Sequence, residues 1–217
     1  MAGHPDQLRI FEIFYSLQGE TRTVGLPTVF VRLTGCPLRC TYCDTEYAFS
    51  GGDWLGLDEI VKTVAAFKAK YVTVTGGEPL AQKHCNDLLV KLCDEGYEVS
   101  LETSGAMSMA EVDSRVVKVM DLKTPASGEV EKNHYENIDY LDDKDQLKFV
   151  ICDQLDYEWA CSMLEKYKLA KRCEILFSAC HGELKERDLA DWILRDNLPV
   201  RMQVQLHKYL WGDEPGR

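Results

Sequence analysis

Cys36, Cys40 and Cys43 fall within eight consecutive positions, in the run TGCPLRCTYCD directly after a strand-like stretch. Cysteine binds metal as the thiolate, so three thiols this close make a metal or cluster site the first reading. An iron–sulfur cube normally takes four thiolates. Three supplied locally leave one iron open to a small molecule, as the fourth position of a catalytic zinc is left open. A zinc knuckle fits the same spacing. Between Cys43 and the pair His84 and Cys85, however, there is no further Cys or His, so a closed tetrahedral site needs a distant fourth ligand.

The run from Tyr71 to Pro79, YVTVTGGEP, reads as a β-rich strand ending abruptly at Gly76-Gly77, where backbone can approach a ligand closely. CxxxCxxC with an aromatic, Tyr42, before the last cysteine, together with GGEP after a second strand, resembles the radical S-adenosylmethionine (SAM) superfamily. That resemblance implies that Cys36, Cys40 and Cys43 hold a [4Fe-4S] cluster whose unique iron chelates the amino and carboxylate groups of SAM. It also places Gly76, Gly77 and Glu78 on the cofactor side. A partial, open (β/α) barrel is the implied fold.

A closer resemblance covers nearly the whole chain. FYSLQGE (Phe14 to Glu20), GLPTVFVRLTGC and QLHKYLWG (Gln205 to Gly212) are similar to the 7-carboxy-7-deazaguanine synthase (QueE) family of queuosine and deazapurine biosynthesis. The implied reaction is a SAM-dependent radical ring contraction of 6-carboxy-5,6,7,8-tetrahydropterin to 7-carboxy-7-deazaguanine with loss of ammonia. Carried over residue by residue, Leu17, Gln18, Gly19, Arg32 and Thr75 bind the pterin, and Thr45 holds Mg2+. Tyr42, Cys43, Asp44, Gly77, Asp121, Leu122 and Lys123 bind SAM. The family further implies a flavodoxin- or ferredoxin-type one-electron reductant and a homodimer.

The residue chemistry suits such a ligand. The amide of Gln18, the backbone of Gly19 and the Glu20 carboxylate can pair with an aminopyrimidinone edge, and Arg32 can take a carboxylate in a bidentate, charge-assisted grip. The plain readings are a turn at Gln18-Gly19, a sheet-edge ion pair at Arg32 and a capping residue at Thr45. Glu102, Ser104, Lys148 and Ser178 also end strands and are candidates for the SAM ribose or carboxylate. Thr21-Arg22 departs from a glycine common in relatives, and His207 and Pro215 in the tail carry no assigned role. The rival readings are a glycyl-radical activating enzyme, which acts on a protein, and a non-catalytic zinc-binding module.

Positioning these groups requires strands whose ends converge. Arg9–Leu17 and Thr28–Leu33 read as strands, and a helix follows over Leu57–Lys70. A strand ending in TGG then leads to a helix from Leu80 to Glu95. YEVSLETSG is followed by a short helix near Met109, and VVKVMDLKT by a polar segment, Ala126–Glu136, that is either an active-site flap or a solvated turn. DQLKFVIC, a helix over Leu155–Tyr167, EILFSAC, a helix over Lys185–Asp196 and the strand-like VRMQVQLHKYLW complete the chain. Gly51-Gly52 and Asp139–Asp145 read as loops. Strands alternating with helices imply a parallel sheet. Six to seven such units make an α/β partial barrel, with function expected at the carboxyl ends of the strands.

At 217 residues the chain suits one domain, residues 1–217, divided into an N-terminal substrate-side extension (1–27), a core (28–180) and a C-terminal helix and strand (181–217). The formal net charge of -11, from 25 basic and 36 acidic side chains, disfavours nucleic-acid and anionic-membrane partners. MAGHPDQLRIF lacks a basic stretch followed by an apolar one, and no apolar run is long enough to span a bilayer, so a cytoplasmic location is expected. Nine cysteines then belong to a reducing compartment. Cys85 and Cys93 read as small helix-core residues. The irregularly spaced Cys152, Cys161, Cys173 and Cys180 give no clear second metal motif.

Overall fold

Apolar and polar residues alternate along the central strands, and that period of two gives each face of the sheet a different job. The computed structural model describes residues 6–212, 214 and 216. Strands β1 (Gln7–Leu17), β2 (Pro27–Leu33), β3 (Asp53–Gly56), β4 (Tyr71–Gly76), β5 (Glu98–Thr103), β6 (Val117–Asp121), β7 (Gln146–Ile151), β8 (Glu174–Ala179) and β9 (Arg201–Gln203) form one sheet in the order β3-β1-β2-β4-β5-β6-β7-β8-β9. Every neighbour pair from β2 to β9 is parallel, whereas β1 runs antiparallel to both β2 and β3. The order ends at β3 and β9 rather than closing, which is the open, partial barrel anticipated.

The outward face is apolar. Val72, Val74, Val99 and Leu101 pack under α1 (Leu57–Ala66) and α2 (Cys85–Asp94), through Ile60, Val64, Leu88 and Leu92. Phe149, Ile151, Ile175 and Phe177 do the same under α3 (Gln154–Tyr167) and α4 (Glu186–Arg195), through Tyr157, Ala160, Leu189 and Ile193. Each Val, Leu, Ile or Phe among them, fully buried, contributes about 1.5–3 kcal/mol. The intervening residues turn inward: Thr75, Glu102, Lys148 and Ser178 border one interior cavity, and Thr73 and Ser100 another below it. The barrel thus has an apolar coat and a polar lumen.

Several elements differ from the sequence reading. The first helix stops at Ala66 because Lys68 turns with φ 54°. The second begins at Cys85: Pro79–Ala81 is a separate 3-10 turn, capped by the Glu78 carboxylate accepting from Leu80 N–H. Gln82 is used instead as a bracket, its amide bonded to the backbone of Arg9 and Thr34. No helix forms near Met109; that segment is turns whose backbone is held by side chains, Met109 N–H donating to Asn137 Oδ1. Beyond Gly51-Gly52 lies β3, a strand to which the sequence analysis assigns no element. VRMQVQLHKYLW is not one strand: only Arg201–Gln203 pairs with β8, and Leu206–Trp211 is a helix, α5. Among the described residues, no helix is long and apolar enough to cross a membrane.

Candidate functional site

The chain leaves β2 at Leu33 and enters the three-cysteine loop over the carboxyl end of the sheet. The end of β4 clamps that loop from below. Gly77 N–H donates to Leu33 O at 3.2 Å, and Glu78 N–H to Gly35 O at 2.8 Å. The approach is so close that a Cβ on Gly77 would lie 2.3 Å from Gly35 O and 2.7 Å from Cys36 Cβ. This is the physical requirement behind the second glycine of GGEP. Glu78 is fully buried, and its carboxylate accepts from Ser104 N–H, Ser104 Oγ, Thr103 Oγ1 and Leu80 N–H. One side chain therefore ties the ends of β4 and β5 together beneath the loop.

On its far side the loop rests on residues 125–129. Thr41 bonds Ser127 O through its N–H and Ala126 O through its hydroxyl, and Arg39 N–H donates to Glu129 Oε1. The Arg39 guanidinium reaches back to the Cys36 and Leu38 carbonyls and lies 4.2 Å from the centre of the Phe49 ring. Ala126–Glu136, open between flap and solvated turn in the sequence, is thus a buttress. Asn133 bonds the backbone of Lys123 in both directions, and His134 N–H donates to Gly105 O.

Cys36, Cys40 and Cys43 all border one chamber of about 320 Å³. Burial pushes all three thiols above the ordinary cysteine value; the Leu38 N–H opposes this at Cys36 and the charge of Lys123 opposes it at Cys40. Neutral thiols in such a place become ligands when bound iron displaces their protons. Among the described residues no three His, Cys, Asp or Glu side chains converge on a single-ion site. Three thiols are one ligand short of a closed tetrahedral zinc and leave one corner of a four-iron cube open. Beside them the buried Tyr42 hydroxyl has no partner among the described residues.

The opposite wall and the floor are polar. Gln18 is nearly fully buried; its amide nitrogen donates to Thr73 Oγ1 and Glu102 Oε1, and its oxygen accepts from Glu20 N–H. Thr75 donates to the other Glu102 oxygen at 3.0 Å. Burial raises the Glu102 carboxyl above the usual carboxylate value, an effect the charge of Lys148 opposes. Lys148 bridges Glu20 at 2.8 Å and Asp121 at 3.3 Å, and Lys123 holds the other Asp121 oxygen at 2.6 Å. Burial opposes the charge on Lys123, but Asp121 outweighs it and holds the ammonium above its ordinary value.

Arg32, on β2, donates through Nε to Glu12 at 2.7 Å and lies over the Phe14 and Tyr47 rings at 5.6 and 5.8 Å. The lid is α5. Leu206 N–H donates to Gly19 O, and a Cβ on Gly19 would sit 2.2 Å from His207 Nδ1. Gln203 and Gln205 both reach Glu20. The loop after β1 and the last helix are thereby fastened together across the chamber.

The Radical SAM superfamily model matches residues 30–122. A protein of Chlorobaculum tepidum named 7-carboxy-7-deazaguanine synthase is 45% identical over 210 residues, covering 95% of this chain and 96% of its own. A protein of the same name from Koribacter versatilis is 41% identical over 222 residues, covering 95% and 98%. This chain belongs to the 7-carboxy-7-deazaguanine synthase family. Membership makes it a radical SAM enzyme, and the superfamily implies SAM and a [4Fe-4S] cluster. The crystal structure of QueE from Escherichia coli has the same fold, with TM-score 0.75 at 20% identity over 92% of this chain and 94% of that one.

Of the positions singled out in the sequence, Leu17, Gln18, Gly19, Arg32, Tyr42, Cys43, Asp44, Thr45, Thr75, Gly77, Asp121 and Lys123 all border the same chamber. Leu122 does not. Its side chain lies in the α3–α4 core, as strand alternation after Asp121 requires, and its N–H is taken by Lys148 O. Asp44 and Thr45 are joined, Thr45 Oγ1 donating to Asp44 Oδ1 at 2.7 Å, and Gln205 approaches the other Asp44 oxygen. Arg32 has an ion pair, as its plain reading foresaw, but on an interior strand rather than a sheet edge, and it also borders the chamber. Glu12 and the chamber face of His207 were missed, since an alternating strand and a short polar tail announce neither. Pro215 lies outside the described residues.

Proposed function

We propose that this protein converts 6-carboxy-5,6,7,8-tetrahydropterin to 7-carboxy-7-deazaguanine with release of ammonia. Support comes first from the whole-length likeness to relatives of that name. The structural observation that carries the reading is one chamber with a three-thiol wall at one end and a network of amide, carboxylate and guanidinium groups at the other. Such a chamber can hold a redox cluster, SAM and a flat polar heterocycle side by side.

Cys36, Cys40 and Cys43 hold the cluster in this reading. When bound, it and SAM supply the radical chemistry, while the protein orients the substrate and excludes competing reactions. Gln18, with backbone amides at Gly19, and Thr75 face the pterin edge. Arg32 takes the substrate carboxylate with the guanidinium N–H groups that Glu12 leaves open, a charge-assisted geometry. Glu102, whose proton affinity burial raises, can serve the same edge as donor or acceptor. Thr45 supplies one oxygen to a Mg2+ that otherwise keeps water and substrate oxygens, with Asp44 orienting the hydroxyl. Tyr42, Cys43, Asp44, Gly77, Asp121 and Lys123 form the SAM side, and Leu122, in the core behind them, takes no part.

Residues 1–27 and 181–217 act as substrate-side walls on the core 28–180. A flavodoxin- or ferredoxin-type reductant, a homodimer and a cytoplasmic setting complete the proposal; neither a nucleic acid nor a membrane is a partner. The test is an anaerobic assay of the reconstituted protein with SAM, Mg2+, a one-electron reductant and the carboxytetrahydropterin. Appearance of the deazaguanine acid and ammonia in equal amounts is expected. Cleavage of SAM with the pterin unchanged would overturn it.

A further inference from the structure

Two cysteines outside the cluster loop occupy equivalent places on neighbouring strands. Strands β7 and β8 are parallel and in register, Val150 opposite Ser178 and Ile151 opposite Ala179. The next residue on each is cysteine, and Cys180 N–H donates to Ile151 O at 2.9 Å, so Cys152 and Cys180 leave the two strand ends side by side. Adjacent strands lie about 4.8 Å apart, inside the Cα separation of about 4.4–6.8 Å that a disulfide spans. Val150 and Ser178 border the chamber, whereas Cys152 does not reach its lining. Cys180 does border it. Each thiol acts on the other: Cys152 holds Cys180 below the ordinary thiol value, while Cys180 and burial push Cys152 up.

The pair is also wired to the cluster loop. Cys152 N–H donates to Asp156 Oδ2, which accepts from Thr124 Oγ1 as well, while Asp156 Oδ1 accepts from Ala126 N–H. Ala126 O in turn receives the Thr41 hydroxyl between Cys40 and Cys43. Drawing the two sulfurs together therefore pulls on the segment that supports the loop.

We propose that Cys152 and Cys180 form a reversible thiol–disulfide site at the edge of the chamber, closed by exchange with a low-molecular-weight disulfide and slowing turnover when closed. The Cys180 thiolate attacks one sulfur of the small disulfide, forming a mixed disulfide and releasing one small thiol. Cys152 then attacks Cys180 Sγ, loses its proton and expels the second small thiol. Two protein thiols are oxidised, and one small disulfide is reduced to two thiols. Cys85, in the α1–α2 core, and Cys173, buried in the α3–α4 core, cannot substitute.

The test uses the anaerobic, cluster-loaded protein equilibrated with oxidised and reduced glutathione, then quenched, alkylated and mapped by mass spectrometry. A Cys161→Ser, Cys173→Ser background makes the linkage unambiguous. The expected result is a Cys152–Cys180 link two hydrogens lighter than the reduced pair, with loss of turnover that dithiothreitol restores. Cys152→Ser should keep its cluster absorbance and its turnover under the same treatment, and Cys152→Ala guards against a packing effect of serine. No link at any glutathione ratio, or a link with undiminished turnover, would overturn the proposal. So would parallel inactivation of Cys152→Ser, which would trace the loss to the cluster.

Discussion

Gly77→Ala is the sharpest perturbation of the cluster site that leaves every ligand in place. Gly77 has no positive φ, so alanine meets no backbone strain there, and only space is at issue. The new Cβ would lie 2.3 Å from Gly35 O and 2.7 Å from Cys36 Cβ, against an ordinary contact of about 3.4 Å. The Gly35 carbonyl must therefore retreat by about 1 Å and Cys36 by about 0.7 Å. Overpacking of this kind costs about 1–3 kcal/mol, which a domain of this size survives. A ligand set, by contrast, tolerates displacement of only about 0.5 Å. The expected outcome is a folded protein, by circular dichroism and thermal melting, with much reduced iron and sulfide after anaerobic reconstitution. Gly96→Ala is the matched control: φ there is 85° and nothing lies near the added Cβ. It carries a conformational cost of about 1–2 kcal/mol and should reconstitute normally. Wild-type iron content and SAM affinity in Gly77→Ala would refute the inference that this glycine sets the position of the cysteine loop.

Cys36→Ala, Cys40→Ala and Cys43→Ala should each abolish turnover and the cluster absorbance; turnover in any reconstituted single variant would remove that residue from the ligand set. Arg32→Ala should weaken pterin binding by about 1.5–3 kcal/mol, the worth of a hydrogen bond to a charged group, or roughly 10- to 150-fold in Kd. SAM binding should change little, and calorimetry showing equal losses would make Arg32 a partner of Glu12 alone. Glu102→Gln should alter the pH dependence of stability. Because burial raises the native carboxyl value, the stabilising contribution of Glu102 is present below its ordinary value near 4.5 and is lost as pH rises through the native one. Gln keeps both contacts, since the Thr75 hydroxyl can turn to accept. Urea midpoints from pH 4.5 upward should therefore decline less steeply in the variant, though Glu78, raised likewise, retains part of the slope. Identical profiles would contradict a raised Glu102.

Much of the barrel was legible because its signals are local. The alternation of Val and Thr in YVTVT assigns Val72 and Val74 to the helix side and Thr73 and Thr75 to the lumen, whatever surrounds them. The cysteine spacing likewise announces a ligand loop before any contact is known. What misled was backbone whose partners lie far away in sequence. Met109 sits in a segment with helical-looking spacing, yet its N–H goes to Asn137, so turns prevail over a helix. The tail reads as one extended run, but β8 offers β9 only three paired positions, after which the chain turns into α5 to reach Gly19.

By itself the sequence determined the parallel alternation, the three-thiol loop and the need for glycine at the end of β4, because each follows from residue type and short-range periodicity. Only the tertiary structure decided that Leu122 faces the core, that Ala126–Glu136 supports the cysteine loop, and that Cys152 and Cys180 follow the ends of neighbouring strands. Those outcomes depend on which strands become neighbours and in what register, since a shift of one residue in a strand would send its side chains to the opposite face.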